Sequence, residues 1–244
     1  MPIVHKNQAL TLLDDPSEEE IRLHLPAQAV PKVLRPLDPD TGNWERGAVQ
    51  CLRILSVVYN PWTIEVFYAT RRPDGSSGTQ FMRFYPWTAT MRCLAVTGDG
   101  RVVLLQGHRR QRGAWVEDMH PAGGVRKGGA LEAAVEELFE EAGCKPTDQS
   151  TISTLGAWYM DDGLFADPLH LIVIDRLEAP ESFANPAESI RGIRLVPWMR
   201  WYPDALAGQT ADIYATIFAA RCRYDWETER VLISGRHEIL RAPH

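Results

Sequence analysis

The chain has 244 residues, with 26 Lys and Arg against 32 Asp and Glu, and a formal net charge of −6. This balance argues against a broad nucleic-acid-binding face, because such faces carry an excess of positive charge. Apolar residues make up 45% of the sequence and charged residues 24%, which predicts a substantial core beneath a charged surface.

The sequence also argues against membrane insertion and against a disulfide framework. No apolar run approaches the roughly 18–20 residues of a membrane helix, and the first residues lack the pattern of a signal peptide. The cysteines lie apart, without C-x-x-C spacing, at Cys51, Cys93, Cys144 and Cys222. We therefore expect buried, reduced thiols in a cytoplasmic protein rather than a zinc site or disulfides.

Residues 1–47 are predicted to form an N-terminal extension. Ser17-Glu-Glu-Glu20 is a capping-box pattern, which predicts a short helix that ends near Pro26. The stretch from Leu37 to Asn43 is rich in turn-forming residues.

Residues 48–87 are predicted to form a small antiparallel β domain. Three β-branched and aromatic segments, at 52–59, 63–69 and 79–85, are separated by Asn60-Pro61 and by the turn-forming stretch 72–78. A meander of this size has too little core to be stable alone, so we expect it to pack on another surface.

The segment from Ala130 to Gly143 predicts a short helix that carries five glutamates. At about 100° per residue, its apolar residues form one stripe, and Glu137, Glu140 and Glu141 share the adjacent arc. The i,i+4 pairs Glu137/Glu141 and Glu136/Glu140 are repulsive and each cost roughly 0.2–0.5 kcal/mol. Three carboxylates on one arc favour a site for Mg²⁺ or Mn²⁺. The alternative is an ordinary solvated acidic face.

A glycine-rich loop, 121–129, leads directly into this helix. Its glycines allow the backbone to pass close to a ligand, and Gly143 is a typical residue to end the helix. A loop of this kind followed by acidic ligands on a helix can hold phosphates that are bridged by metal ions.

This loop–helix unit resembles the signature of the Nudix hydrolases, G-x5-E-x7-R-E-U-x-E-E-x-G-U, where U is a bulky aliphatic residue. The positions that match the signature are Gly123, Glu137, Leu138, Glu140, Glu141 and Gly143. The chain departs from it in three places. The loop is one residue short, so that Gly128-Gly129 replaces the first glutamate, Cys144 replaces the last aliphatic residue, and Glu136 replaces the arginine.

Flanking segments resemble one branch of this family, the ADP-ribose pyrophosphatase-like proteins, and extend the likeness to roughly residues 48–225. They are the strand–turn–strand that ends at Arg109, the Pro121-Ala-Gly123 triplet, the segment 158–167, and the stretch 207–219 with its G-x-x-x-D pattern at Asp212. The resemblance implies that the small β domain packs on a second subunit, and hence a homodimer.

The resemblance also implies roles for individual residues. Glu137, Glu140, Glu141 and the carbonyl of Ala122 would hold divalent metal ions, expected to be Mg²⁺ with Mn²⁺ as an alternative. The residues expected to bind substrate are Arg109, Arg110, Gly123 and Gly124. Asp167 and Glu188 are candidates for a catalytic base in a later loop.

Together these features predict an α+β fold, an α/β/α sandwich around a mixed sheet, preceded by the small β domain. The Nudix domain is expected at 88–225 and a C-terminal tail at 226–244. Within the Nudix domain we expect helices at 130–142 and about 210–221, and a buried strand at 169–174.

The predicted function is metal-dependent hydrolysis of a nucleoside diphosphate linked to another moiety, of the ADP-ribose or nucleoside-diphosphate-sugar type, at the pyrophosphate bond. The partner would be a small nucleotide substrate. One alternative is a weakened or inactive Nudix-fold module that binds a ligand, which Glu136 and the missing loop glutamate favour. A second alternative is another activity of the Nudix fold, such as capped-RNA or isomerase chemistry. Retention of Glu137, Glu140 and Glu141 favours the enzyme. The sequence leaves the second substrate moiety open.

Overall fold

The structure is a computed structural model that describes residues 10–38, 49–109, 114–125, 128–158, 167–210, 212–235 and 238–241. The chain divides into two compact units. The first comprises residues 1–89 and 159–168, and the second comprises residues 90–158 and 169–244. Each unit is described separately below.

In its described residues, the first unit contains a four-stranded antiparallel sheet and two short helices. Its strands are β1 (Thr11–Asp14), β2 (Gln50–Tyr59), β3 (Ile64–Arg71) and β4 (Ser77–Phe84), hydrogen-bonded in that order. Its helices are α1 (Glu18–His24) and α2 (Val30–Leu34), followed by a 3-10 turn at Arg35–Leu37. The predicted β segments are confirmed as β2, β3 and β4. The Ser17 capping box is also confirmed, with both of its hydrogen bonds formed.

The helices and the sheet of the first unit share one core. Ile21 of α1 and Val33 of α2 are fully buried, as are Val57, Val66 and Tyr68 of the sheet. The Tyr68 hydroxyl donates a hydrogen bond of 2.7 Å to the Val33 carbonyl, which satisfies the one polar atom of that side chain in the core. Residues 10–38 are therefore part of the same folded unit as the sheet.

The second unit is built on a mixed sheet of eight strands. These strands are β5 (Ala89–Thr97), β6 (Arg101–Arg109), β7 (Ala114–Met119), β8 (Ala122–Val125), β9 (Thr151–Trp158), β10 (Leu169–Leu177), β11 (Ile190–Pro197) and β14 (Glu238–Arg241). The order across the sheet is β11-β6-β5-β10-β9-β14, with β7 on β6 and β8 on β5. Strands β5 and β10 are parallel, and this pairing places the expected buried strand at the centre.

In the described part of the second unit, three helices cover the two faces of this sheet. They are α3 (Ala130–Ala142), α4 (Trp198–Leu206) and α5 (Ile213–Arg221). Leu94 and Leu171 face α4 and α5, and pack with Trp201 and Phe218. The buried residues that alternate with them, such as Cys93, face the other side, where α3 contacts β6 and β10. The predicted α/β/α arrangement and the predicted helix at 130–142 are confirmed.

The last part of the chain forms strands that the sequence did not predict. A hairpin of β12 (Cys222–Asp225) and β13 (Arg230–Ile233) follows α5, and β14 pairs with β9. Residues 226–244, predicted as a tail, thus contribute two strands. All four cysteines are buried, as predicted, and all four are free thiols in the structure. None of the helices in the described part of the chain has the length and apolar character needed to span a bilayer.

Candidate functional site

Helix α3 has a defined beginning and end. At its N-terminus, the Gly129 amide donates a hydrogen bond of 2.5 Å to Glu132 Oε2, so Glu132 caps the helix rather than facing the glutamate arc. At its C-terminus, Gly143 has φ of 66°, a left-handed conformation that favours glycine. Both ends therefore agree with the predicted loop–helix unit.

Two of the predicted ligands lie against strand β8. The Ala122 amide donates a hydrogen bond of 2.9 Å to Glu141 Oε2. At Gly123, an added Cβ would lie only 2.0 Å from Glu137 Oε1. Any side chain at position 123 would therefore displace Glu137 from the strand. Glu137 and Glu141 are half-buried and one helical turn apart, so their carboxylates face the same short stretch of backbone.

Two further glutamates of α3 are exposed. Glu140 and Glu136 both face solvent. The backbone carbonyl of Glu140 accepts a hydrogen bond of 2.8 Å from Asn185 Nδ2. Asn185 caps the 3-10 turn Pro186–Glu188, so this contact ties the C-terminal end of α3 to the loop that carries Glu188. The side chain of Glu188 lies outside the described part of the structure.

The donor set of α3 and β8 is suitable for a hard divalent cation. Carboxylate and carbonyl oxygens are the ligands that Mg²⁺ prefers, and Glu137, Glu141 and Ala122 lie side by side. Across the described residues, however, no three His, Cys, Asp or Glu side chains converge on a single point. The carboxylates of Glu137 and Glu141 therefore lie at β8, and Glu140 is exposed beside them on α3.

The structure locates the predicted substrate-binding residues only in part. Gly123 and Gly124 lie in β8 beside α3. Arg109 is the last residue of β6, and its side chain is not described. Arg110 lies outside the described residues.

Asp167, one of the two candidate bases, belongs to the first unit, whereas α3 belongs to the second. Its Oδ1 accepts from Lys32 Nζ at 2.6 Å, and its Oδ2 accepts from the Tyr85 amide at 2.5 Å. The residue is 2% exposed, and burial raises the pKa of its carboxyl in spite of the ion pair. Both oxygens are thus already engaged in contacts within the first unit.

Asp212 connects three parts of the second unit, namely helix α5, strand β5 and the residue before Pro121 and β8. Its Oδ1 accepts from the Tyr214 amide at 3.1 Å and caps α5. Its Oδ2 accepts from Arg92 Nη1 at 3.1 Å and from the His120 amide at 3.3 Å. Since Pro121 and Ala122 follow His120 directly, Asp212 helps to position the start of β8. The G-x-x-x-D pattern in the sequence indicated Asp212. The pattern does not predict that Asp212 contacts Arg92 and the His120 amide.

His120 is enclosed in the core beside this network. It is fully buried, and its ring lies 5.8 Å from that of Trp201 and 5.2 Å from that of Phe218. Neither ring nitrogen has a hydrogen-bond partner in the described structure. Burial lowers the pKa of His120 to about 4, with the nearby Asp212 opposing the shift. The imidazole is therefore neutral near pH 7.

Comparisons with known proteins give one family match and a solved structure with a similar fold. The sequence profile of the NUDIX domain matches residues 86–216. A crystal structure of an ADP compounds hydrolase has a similar fold, with a TM-score of 0.52 and 16% sequence identity, and the likeness covers 71% of this chain and 89% of that chain. No curated protein matches the chain by sequence.

Proposed function

The chain belongs to the NUDIX domain family, and from this membership we propose that it is a hydrolase of nucleoside diphosphates linked to a second moiety. Its substrates would be of the ADP-ribose or nucleoside-diphosphate-sugar type, cut at the pyrophosphate bond into two monophosphates. The observation that carries this proposal is the placement of Glu137 and Glu141 against β8 at Gly123. These are the positions at which the Nudix signature has its metal ligands.

Nudix enzymes generally use divalent metal ions such as Mg²⁺. In this chain Glu137, Glu140, Glu141 and the carbonyl of Ala122 would hold them. Such ions polarise phosphoryl oxygens and lower the pKa of bound water, so that hydroxide is available at neutral pH. Glu140 would complete the set by turning from the exposed arc toward its two neighbours on α3.

Other residues of this chain would bind and orient the substrate. The backbone at Gly123 and Gly124 would let the diphosphate approach α3 closely. Arg109 would offset the negative charge that develops on the phosphoryl group, a mainly electrostatic contribution. Arg110 would assist it.

For the catalytic base we propose Glu188 in preference to Asp167. The hydrogen bond from Asn185 to Glu140 links the turn of Glu188 to α3. The Asp167 carboxylate, in contrast, is buried and already accepts from Lys32 and Tyr85. A base must reach the water or proton on which it acts, and Asp167 would first have to give up both contacts.

The alternative remains a Nudix-fold module that binds a ligand without hydrolysing it. Glu136 at the position of the signature's arginine favours this alternative. Glu136 and Glu140 both face solvent and lie one helical turn apart on α3. Their repulsion therefore replaces the attraction that the signature's arginine would have for Glu140. The two functions differ in whether bound substrate is converted to product.

We also propose that the protein is a cytoplasmic homodimer that pairs through its first unit. The sheet face opposite α1 and α2 carries Phe67 and Phe81, whose rings lie 5.1 Å apart, and Leu12 at 64% exposure. An apolar face of this kind favours a partner surface. Four buried cysteines without disulfides fit a reducing compartment. Sedimentation analysis should give about twice the chain mass of 27.5 kDa.

The proposed activity is tested by a substrate screen. The purified protein is incubated with ADP-ribose, nucleoside-diphosphate sugars and dinucleoside polyphosphates, with Mg²⁺ or Mn²⁺, and monophosphate products are resolved by chromatography. Hydrolysis that EDTA abolishes supports the enzyme. Binding without product for every compound would favour the non-catalytic module.

A parallel measurement separates the metal site from the activity. A ligand that binds only the native state stabilises it by RT ln(1 + [L]/Kd), about 2.7 kcal/mol at 100 times Kd. Millimolar Mg²⁺ or Mn²⁺ should therefore raise the melting temperature. An unchanged melting temperature would count against a metal site on α3, and with it against the enzyme.

A further inference from the structure

A cavity of about 640 Å³ lies in the second unit, away from the glutamates of α3. Its walls come from strands β9 and β10, helices α4 and α5, and the β12–β13 hairpin. The volume is within the range of about 300–1,000 Å³ that is typical of small-molecule sites. None of the described residues that we propose for the Nudix site lines it.

Three arginines, Arg221, Arg223 and Arg230, line this cavity. Arg230 Nη1 donates a hydrogen bond of 3.0 Å to Thr151 Oγ1, and Arg221 Nε donates one of 2.9 Å to the Ser234 carbonyl. These contacts hold two of the guanidinium groups against the wall. A guanidinium that is held in this way loses little conformational freedom when it binds an anion.

Among the described residues that line the cavity, the negative charge comes from Asp175. Its Oδ1 accepts from the Thr151 amide at 2.9 Å and its Oδ2 accepts from the Val231 amide at 3.0 Å, and the residue is 2% exposed. Its carboxylate thus joins the hairpin to β9. Asp225, the cross-strand neighbour of Arg230, interacts electrostatically with Arg223, although in the described parts of the chain neither arginine forms an ion pair with a carboxylate. Among the described residues that line the cavity, three arginines stand against one aspartate, so its wall carries an excess of positive charge.

The rest of the wall is largely apolar. Tyr202, Ala219, Val231 and Ile233 line the cavity, and they also pack on the main core of the unit. An inorganic anion alone would leave most of this volume and this apolar surface unused. A ligand with both an anionic group and an organic body would use the arginines and the apolar wall together.

We propose that this cavity binds a small organic phosphate monoester. Arginine binds phosphate through paired N–H donors, which suits a dianionic group placed between two or three guanidinium groups. The organic body would lie against Tyr202 and the aliphatic side chains. The inference does not depend on hydrolysis at α3.

Calorimetric titration in excess EDTA tests the proposal, with AMP, inorganic phosphate and adenosine as probes. AMP should bind with one site per chain. Adenosine lacks the phosphate and should bind at least tenfold more weakly, as should inorganic phosphate, which lacks the body. Arg223→Gln and Arg230→Gln should each weaken AMP binding at least tenfold, whereas the exposed Arg22→Gln should not change it. Equal AMP affinity in all of these proteins, or no AMP binding by the parent, would overturn the proposal.

Two further variants keep the test informative if an arginine variant fails to fold. Ala220 is exposed and lines the cavity, so Ala220→Trp adds bulk there and leaves the three arginines in place. It should weaken AMP binding at least tenfold. Glu140→Gln alters the proposed metal site instead, and should bind AMP like the parent. Loss of binding in Glu140→Gln, with normal binding in Ala220→Trp, would place AMP at α3 and refute the second site.

Discussion

Two groups of acidic side chains in this molecule have opposite environments. Asp167, Asp175 and Asp212 are 2%, 2% and 8% exposed, and each uses both carboxylate oxygens as hydrogen-bond acceptors. The glutamate arc of α3 is half-buried or exposed. The first group holds elements of the fold together, and the second presents negative charge at the surface.

The difference follows from the cost of burial. A buried carboxylate is tolerated when N–H donors or a cation satisfy it, and otherwise it costs several kcal/mol. Glutamates that repel one another on a helix lower its stability. Removing a buried aspartate should therefore weaken the fold, whereas neutralising an arc glutamate should weaken only function. The predictions below test this contrast.

The largest expected effect is on stability, in Asp212→Ala. We expect the free energy of unfolding to fall by about 3 kcal/mol, because the change removes the carboxylate partner of the partly buried Arg92 and the cap of α5. Urea denaturation in EDTA measures this. Asp148→Ala, at an exposed position, is the matched control and should change the free energy by less than about 0.5 kcal/mol. A loss below about 1 kcal/mol in Asp212→Ala would remove the contrast between the two groups.

The next effect is on activity, in Glu140→Gln and Glu141→Gln. Each should lower kcat at least about a hundredfold, which corresponds to about 2.7 kcal/mol in the activation free energy. Glu141→Gln keeps an oxygen that can accept from the Ala122 amide, and the Glu140 side chain is exposed, so the fold should persist in both variants. Without metal, both variants should be as stable as the parent or slightly more so.

Glu136→Gln, an exposed neighbour on the same helix, is the control for these two variants and should stay within a few-fold of the parent kcat. If the metal-free Glu140→Gln or Glu141→Gln protein unfolded more readily than the parent, the arc would be structural. The proposed roles would then be wrong.

A smaller effect is expected from His120 as the pH falls. Its folded pKa of about 4 lies below its ordinary value of 6.5, so its contribution to stability is present above pH 6.5 and is lost as the pH falls toward 4. Between pH 7 and pH 5 the loss should be about 2 kcal/mol. His120→Phe keeps an aromatic ring against Trp201 and Phe218 and should reduce this slope in EDTA. An equally steep slope in the variant would assign the pH dependence to other groups.

The smallest expected effect is that of Glu136→Arg. It turns a repulsive i,i+4 pair with Glu140 into an attractive one, a change of a few tenths of a kcal/mol up to about 1 kcal/mol in the metal-free protein. It also restores the residue of the Nudix signature, so activity should persist and Mg²⁺ affinity should rise. Titration that showed much weaker Mg²⁺ binding would mean that Glu136 is itself a ligand in this protein.

Local patterns allowed prediction of the elements that depend on nearby residues. The helix at 130–142 has a continuous apolar stripe and a terminal glycine, and its observed bounds are the same. The Ser17 capping box likewise involves residues only three positions apart. In contrast, β13 and β14 lie in a segment without clear alternation, and they form because β12 and β9 offer edges with which to pair.

The sequence by itself determined which side chains are available for chemistry, since the spacing of Glu137, Glu140 and Glu141 places them on one arc of any helix that forms there. Only the tertiary structure decided which acidic residues form the buried hydrogen bonds and ion pairs that hold the fold together. The Arg92–Asp212 pair joins residues 120 positions apart and the Lys32–Asp167 pair joins residues 135 positions apart. No local pattern encodes such contacts, because they arise when the chain packs and each buried charge must find a partner.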